Sequence, residues 1–314
     1  MRTQPARLSV KILKFASKPH AIFAALVIGS LALMGGTVAD LVRYAISNES
    51  YSHIIIVPFL SLFVAFTERK KIFGELGPSR VAGGSVMLAA LIVSWFTNQF
   101  GWGPRGAESL SAEAAALVAF WAGAFLACYG TKAARLAFFP LALLLFAVPV
   151  PEPLLSRVIA LLQRGSAEVA YLSIRAAGAP VLRQGLYITV PGIVIQVAEE
   201  CSGIRSSMGL LITCLLAAHF FLRTTWRKSV FVLLTIPLAI VKNGVRIATL
   251  TLLSLHVNPG FLRGNLHRDG GFVFYLLMLA ILWPVLSLLQ RSEIRQRPRP
   301  LASPQEPKSQ LAAG

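Results

Sequence analysis

The chain contains little charge, few acidic residues and few cysteines. Only 14% of its 314 residues are charged, against about 25% in soluble globular proteins. By contrast, 55% are hydrophobic, and the mean hydropathy is +0.67. This composition excludes an ordinary soluble protein, and the recurring long apolar runs predict a polytopic membrane protein.

The scarcity of cysteine excludes a disulfide framework, because two of the three cysteines, Cys128 and Cys214, lie within apolar runs. No cleavable signal peptide is expected, because the first long apolar run, near His20, has no small-residue cleavage site followed by a soluble domain. The sequence predicts no cofactor and no metal. The formal charge of +17 does not indicate nucleic-acid binding, because the basic residues lie mostly in short segments between the apolar runs.

The apolar runs predict an all-α polytopic membrane protein with about eight transmembrane helices. They cover roughly residues 21–38, 54–67, 81–100, 113–129, 136–150, 206–222, 230–255 and 272–289. Residues 154–183 carry charges but keep leucine and valine at helical spacing, which predicts an interfacial amphipathic helix. Two short β-like segments around Pro191-Gly192 then lead to Cys201.

Charge asymmetry predicts three parts and an orientation. These are a basic cytoplasmic N-terminus (residues 1–19), a single membrane catalytic domain (20–290) and a disordered basic cytoplasmic tail (291–314). If the N-terminus is cytoplasmic, most of the 30 Lys and Arg residues fall on the cytoplasmic side. The loops before the sixth and eighth spans, which hold Cys201 and His267, then face the periplasm or exterior.

The segment of residues 199–206, here called the collar, is the first candidate for chemistry. It reads Glu199-Glu200-Cys201-Ser202-Gly203-Ile204-Arg205-Ser206 and directly precedes the sixth span. A free cysteine is usually an inert buried side chain. Cys201, however, stands among polar residues at a helix N-terminus, where free N–H groups and the helix dipole favour a thiolate. We therefore interpret Cys201 as a candidate nucleophile.

Two further motifs lie on the same predicted side. Within the seventh span, Asn243 and Arg246 share a helix face, and Lys242 is a second cation one turn from Arg246. We expect a carboxylate or a substrate group near these cations, with Glu199 or Glu200 as candidates. His267 precedes the eighth span. An imidazole is the usual partner of a cysteine nucleophile, and an arginine can stabilise an oxyanion. His53, before the second span, is a secondary candidate.

These motifs resemble those of the exosortase/archaeosortase family. The resemblance rests on the run from Ala198 through the collar, on Pro237-Leu-Ala-Ile-Val-Lys-Asn243-Gly-Val-Arg246, and on His267 followed by Gly271. Tyr51-Ser-His53 with Pro58, and Phe146-Ala-Val-Pro-Val-Pro, also resemble the family's early spans. The resemblance extends over about residues 40–290.

The resemblance implies a membrane cysteine transpeptidase, a sortase analogue of unrelated fold. Its substrates would end in a short motif such as Pro-Glu-Pro, a transmembrane helix and a basic tail. Cys201 would be the nucleophile, Arg246 its electrostatic partner and His267 the acid/base. Supporting residues would be Glu199, Glu200, Ser202, Gly203, Arg205, Asn243, Gly271 and His53. Cleavage near the motif would pass the protein to an envelope or extracellular acceptor, with lipid- or polysaccharide-linked groups as candidates.

The chain departs from the family pattern in two ways, and two other functions stay open. Lys242 stands where a neutral residue is expected, and the extra C-terminal domain of some members is absent, so the subfamily and its signal motif are not identified. One alternative is a multi-span transporter with Lys242 and Arg246 lining an anion path, although no two related halves are found. The other is a non-catalytic membrane protein of exopolysaccharide export.

Overall fold

The computed structural model describes residues 6–99, 107–198, 203–258, 260 and 271–295. Its helices are α1 (Ala6–Leu33), α2 (Gly35–Ser47), α3 (His53–Thr67), α4 (Arg69–Ile72), α5 (Arg80–Gln99), α6 (Ala107–Leu136), α7 (Phe138–Leu143), α8 (Glu152–Ala176), α9 (Ile204–Phe221), α10 (Thr225–Leu233), α11 (Thr235–His256) and α12 (Gly271–Arg295). Short 3-10 turns cover Glu49–Tyr51 and Leu144–Ala147. The strands are β1 (Leu182–Gln184), β2 (Tyr187–Val190) and β3 (Ile193–Gln196).

Each of the eight predicted apolar runs coincides with a helical segment. Within the described residues, five segments are long and apolar enough to cross a membrane. Two more qualify only as bent pairs: α1 and α2 meet at 75°, and α7 with its 3-10 turn meets α8 at 90°. The described residues thus give five to seven candidate spans where the sequence predicts about eight, because the apolar helix α3 is shorter than this length requires. The all-α polytopic membrane fold is thus confirmed, and α1 begins inside the predicted N-terminal segment while α12 continues to Arg295.

Helix α8 has the predicted amphipathic pattern but is shorter than expected. It starts beside Pro151, which cannot continue a preceding helix, and its buried side chains recur at helical spacing: Ile159, Leu162, Ser166, Ala167, Ala170 and Ile174. The predicted end at Arg183 is wrong, because the helix ends at Ala176. Arg183 instead lies in β1, a strand that the sequence interpretation missed.

The three strands form an antiparallel sheet in the order β1-β2-β3. Its buried side chains Ile188 and Val190, with Val197 just beyond β3, pack on Ala170 of α8 and Ala248 of α11. Gln163 of α8 donates a hydrogen bond of 2.9 Å to the Val197 carbonyl. The sheet therefore fixes the chain against α8 immediately before the collar.

Helices α8 and α11 pack closely because each contributes a glycine to the contact between them. A Cβ added to Gly165 of α8 would lie 2.8 Å from Ile240, and one added to Gly244 of α11 would lie 2.5 Å from Val169. Small residues let helix backbones approach in this way in membrane proteins. This packing sets the position of α11 relative to α8 and the sheet.

Helices α3, α9 and α12 run in the same direction. Near their C-terminal ends, Glu68 lies 3.4 Å from His219, and the Glu293 carboxylate accepts a 2.8 Å hydrogen bond from the backbone N–H of Thr224. Towards the other end, the Tyr275 hydroxyl of α12 lies 2.8 Å from the Thr213 hydroxyl of α9. The first residues of all three helices therefore lie at one end of the bundle.

Candidate active site

Gly203, within the collar, is the N-cap residue of α9. Gly203 has a left-handed backbone conformation (φ 74°, ψ 17°), which a glycine adopts without the strain of a side chain. Its carbonyl accepts hydrogen bonds from the Ser207 backbone N–H at 2.9 Å and from the Ser206 hydroxyl at 3.0 Å. Cys201 comes two residues before this N-cap in sequence.

Helix α11 lies directly against this glycine. Gly203 is buried, and an added Cβ would lie 2.9 Å from the Asn243 amide oxygen. The Asn243 amide nitrogen donates a 3.1 Å hydrogen bond to the Ser166 hydroxyl of α8, and both side chains are buried, at 1% and 0% exposure. The chain is therefore bonded to α8 at Val197, just before the collar, and packs against α11 at Gly203, within the collar.

A second contact joins α11 to the first turn of α9. The Lys242 ammonium donates a hydrogen bond to the Ser206 hydroxyl, and Lys242 is only 2% exposed. The same hydroxyl reaches the Gly203 carbonyl. Arg246, one turn further along α11 on the Asn243 face, is half-buried. The described part of the site thus carries two neighbouring cations next to the end of the collar.

Two other predicted residues lie at the helix starts that converge at this end. Gly271 is the first residue of α12, one turn before Tyr275. His53 is the first residue of α3 and is half-buried, with its ring 6.2 Å from that of Tyr51. Burial raises the pKa of the Tyr51 phenol, so it stays protonated and donates a 3.3 Å hydrogen bond to the Val150 carbonyl. Among the described residues, the His53 ring thus contacts the aromatic ring of Tyr51.

The remaining predicted site residues divide into two groups. Arg205 is described and is exposed in the first turn of α9. Glu199, Glu200, Cys201, Ser202 and His267 lie outside the described residues. Cys128 and Cys214 are buried, as their place in apolar runs predicts. In the ranges that the structure describes, no group of three or more His, Cys, Asp or Glu side chains could hold a metal.

Sequence reasoning missed Ser166 and the role of Ser206. Ser166 is a polar member of the buried face of α8, where its neighbours are alanine, leucine and isoleucine. That single polar position on an otherwise apolar face was the available signal, since a buried hydroxyl needs a hydrogen-bond partner. Ser206 belonged to the collar, but its link to Lys242 depends on how α9 and α11 pack.

Comparison with known protein families shows which family the chain belongs to. A family model described as transmembrane exosortase matches residues 45–284. The chain belongs to the transmembrane exosortase family. No curated protein and no solved structure matched it. The matched range of this exosortase includes the collar, the Asn243–Arg246 stretch and His267. Membership supports a membrane transpeptidase role in protein sorting, with membrane-protein substrates that carry sorting signals.

Gly203→Ala is expected to impair this exosortase more than Gly178→Ala does. Both alanines would sit at positive φ, 74° and 80°, at a cost of roughly 1–2 kcal/mol each. At Gly203 the new methyl group would also clash with Asn243. At Gly178 no atom lies within 4 Å of the new methyl group. Thermal unfolding in detergent and the rate of substrate processing would measure the difference. Equal loss for both variants would contradict the importance of the Gly203–Asn243 contact.

Proposed function

We propose that this exosortase is a cysteine endopeptidase and transpeptidase in which Cys201 is the nucleophile. It recognises a C-terminal sorting signal made of a short motif such as Pro-Glu-Pro, a transmembrane helix and a basic tail. The observation that carries the proposal is the junction of α9 and α11. Asn243 packs against Gly203 and Lys242 donates a hydrogen bond to Ser206, so the helix that carries Arg246 lies against the C-terminal part of the collar.

The proposed reaction has two halves. The Cys201 thiolate attacks the scissile carbonyl carbon, and the resulting oxyanion is stabilised by the Arg246 guanidinium. As the C–N bond breaks, His267 gives a proton to the leaving amine, and a thioester to Cys201 remains. His267 then takes a proton from the acceptor nucleophile or from water, whose attack on the thioester releases the protein and restores the Cys201 thiolate beside a protonated His267.

The supporting residues have proposed roles as well. Glu199 or Glu200 would balance the two cations of α11, and Ser202 and Arg205 would orient the collar and the bound peptide. Asn243 fixes Gly203, while Gly271 and His53 lie at helix starts at the same end of the bundle. These assignments rest on the family motifs and on the shared location of the described members.

The proposed setting is the cytoplasmic membrane, with both termini cytoplasmic and the active site facing the periplasm or exterior. The basic segments between apolar runs support this orientation. The acceptor would be an envelope or extracellular group, with lipid- or polysaccharide-linked nucleophiles as candidates, and the sorted protein would enter the extracellular matrix.

Co-expression with a signal-bearing membrane protein tests the function. We expect the substrate to be shortened only when this exosortase is present, and the product to lack the transmembrane helix and basic tail. Mass spectrometry of the new C-terminus would locate the cut near the short motif. A substrate with the motif replaced by alanines is the matched control. Unchanged substrate length with a panel of such signals would argue against a peptidase.

The proposed orientation predicts which residues an impermeant thiol reagent reaches. In a chain with its three native cysteines replaced, Asn258→Cys just after α11 should be labelled from outside intact cells, and Lys70→Cys in α4 only after the membrane is opened. Both parent residues are exposed in the structure. Labelling of Lys70→Cys in intact cells, with Asn258→Cys protected, would reverse the orientation.

A further inference from the structure

Lys242 is a buried cation inside a membrane helix. Its side chain is 2% exposed, and its ammonium donates to Ser206. The ion pairs among the described residues do not include it, so no described carboxylate offsets its charge. A buried charge without a counter-charge is costly, and intramembrane charges are usually retained for a function.

A second cation makes this arrangement more costly. Arg246 lies one turn along α11, close enough to repel Lys242 electrostatically. The elements packed around Lys242 present few other titratable groups. Arg205 is on α9 and Tyr275 is on α12, while α8 presents the neutral Ser166 and carries Glu168, which pairs with Arg183. A pair of cations in such surroundings favours an anion at the end of the collar.

The hydrogen bonds of Lys242 reach the turn at which α9 begins. The ammonium donates to the Ser206 hydroxyl, and this hydroxyl donates to the carbonyl of Gly203. Gly203 also packs against Asn243, the residue next to Lys242. Through the Ser206 hydroxyl, Lys242 is therefore linked to the carbonyl of Gly203, two residues after Cys201 in sequence. Its positive charge lies beside the first turn of α9.

We propose that Lys242 is a positioning residue of the active site: it fixes the first turn of α9 through Ser206 and, with Arg246, directs positive charge towards the Cys201 thiolate. This inference rests on the proposed function, since it takes Cys201 as the nucleophile. It gives a role to a residue that departs from the family pattern. The alternative is a structural lysine that holds Ser206 and has no influence on the thiol.

The pH dependence of Cys201 alkylation distinguishes these roles. Membranes holding the chain with Cys128→Ala and Cys214→Ala would be treated with iodoacetamide, which reacts with the thiolate. Loss of a nearby positive charge should raise the pH midpoint of alkylation by about one unit in Lys242→Met and Lys242→Gln. At a pH below the midpoint, alkylation should then be roughly ten-fold slower, because the thiolate fraction falls in proportion.

Lys228→Met is the matched control, because Lys228 is on α10 beyond the other end of α9. Its midpoint should equal that of the parent chain. Unchanged midpoints in both Lys242 variants, or an equal rise in Lys228→Met, would overturn the proposal. The assay uses no substrate, so it also separates the two hypotheses: processing that survives loss of Cys201 refutes the proposed function even where Lys242 controls the thiol.

Discussion

Cys201→Ala is expected to reduce shortening of a co-expressed signal-bearing protein below detection. Without the thiolate no thioester can form, so the loss should exceed that of any other single change. The amount and detergent stability of the exosortase should stay near the parent level, because the described contacts of this region are made by Gly203, Ser206, Asn243 and Lys242. Immunoblotting of substrate and product measures the first effect, and size-exclusion chromatography measures the second.

The other two cysteines provide matched controls. Cys128 and Cys214 are buried, at 8% and 2% exposure, within α6 and α9. Their alanine variants should process substrate at rates close to the parent, with some loss of stability from the small cavities created. Cys201→Ser should be as inactive as Cys201→Ala, since a hydroxyl is a far weaker nucleophile at neutral pH. Persistent shortening in Cys201→Ala cells would exclude the cysteine mechanism.

The helical architecture was predictable because hydrophobic length and helix formation coincide in membranes. A buried backbone in lipid must satisfy its own hydrogen bonds, so a long apolar run becomes a helix without help from distant residues. Hence each apolar run, from the one near His20 to the one before Arg291, matches a helical segment. The break at Met34 was not predictable, because the apolar run continues through it.

Strand β1 of the sheet was not predictable from the local sequence pattern. β2 and β3 alternate around Pro191-Gly192 and were expected, whereas β1 has only three residues. Leu182 to Gln184 pair with Tyr187 to Thr189, and that pairing, not their own composition, makes them a strand. Charges at Arg175 and Arg183 suited an amphipathic helix equally well, so the helix was extended too far.

The contacts around Asn243 were not predictable from the sequence. Three-residue spacing placed Asn243 and Arg246 on one face of α11. It did not indicate that Asn243 would lie on Gly203 or bond to Ser166, because both contacts depend on the mutual packing of α8, α9 and α11. Asn243 therefore links three helices, a role that no single segment reveals.

Arg246→Lys is expected to process substrate roughly 100- to 1000-fold more slowly although the charge is kept, which is the cost of losing one well-placed oxyanion donor. A guanidinium offers a fixed fork of donors that can hold both the collar and the developing oxyanion, whereas an ammonium is a compact point charge. Arg246 is half-buried, and a low dielectric strengthens such contacts. Single-turnover rates at saturating substrate would report the defect. Arg291→Lys, at an exposed position near the C-terminal end of α12, is the matched control and should stay near the parent rate.

His267→Gln tests the acid/base role together with Arg246. General acid–base help contributes roughly 100- to 10,000-fold, so this variant should be strongly impaired, while His256→Gln at the end of α11 should not be. If Arg246 and His267 serve one chemical step, the double variant should be little slower than the slower single variant. If Arg246 only reaches lipid headgroups and His267 only precedes α12, lysine and glutamine should replace them freely. Near-parent processing by Arg246→Lys and His267→Gln would leave Cys201 without partners and exclude the triad.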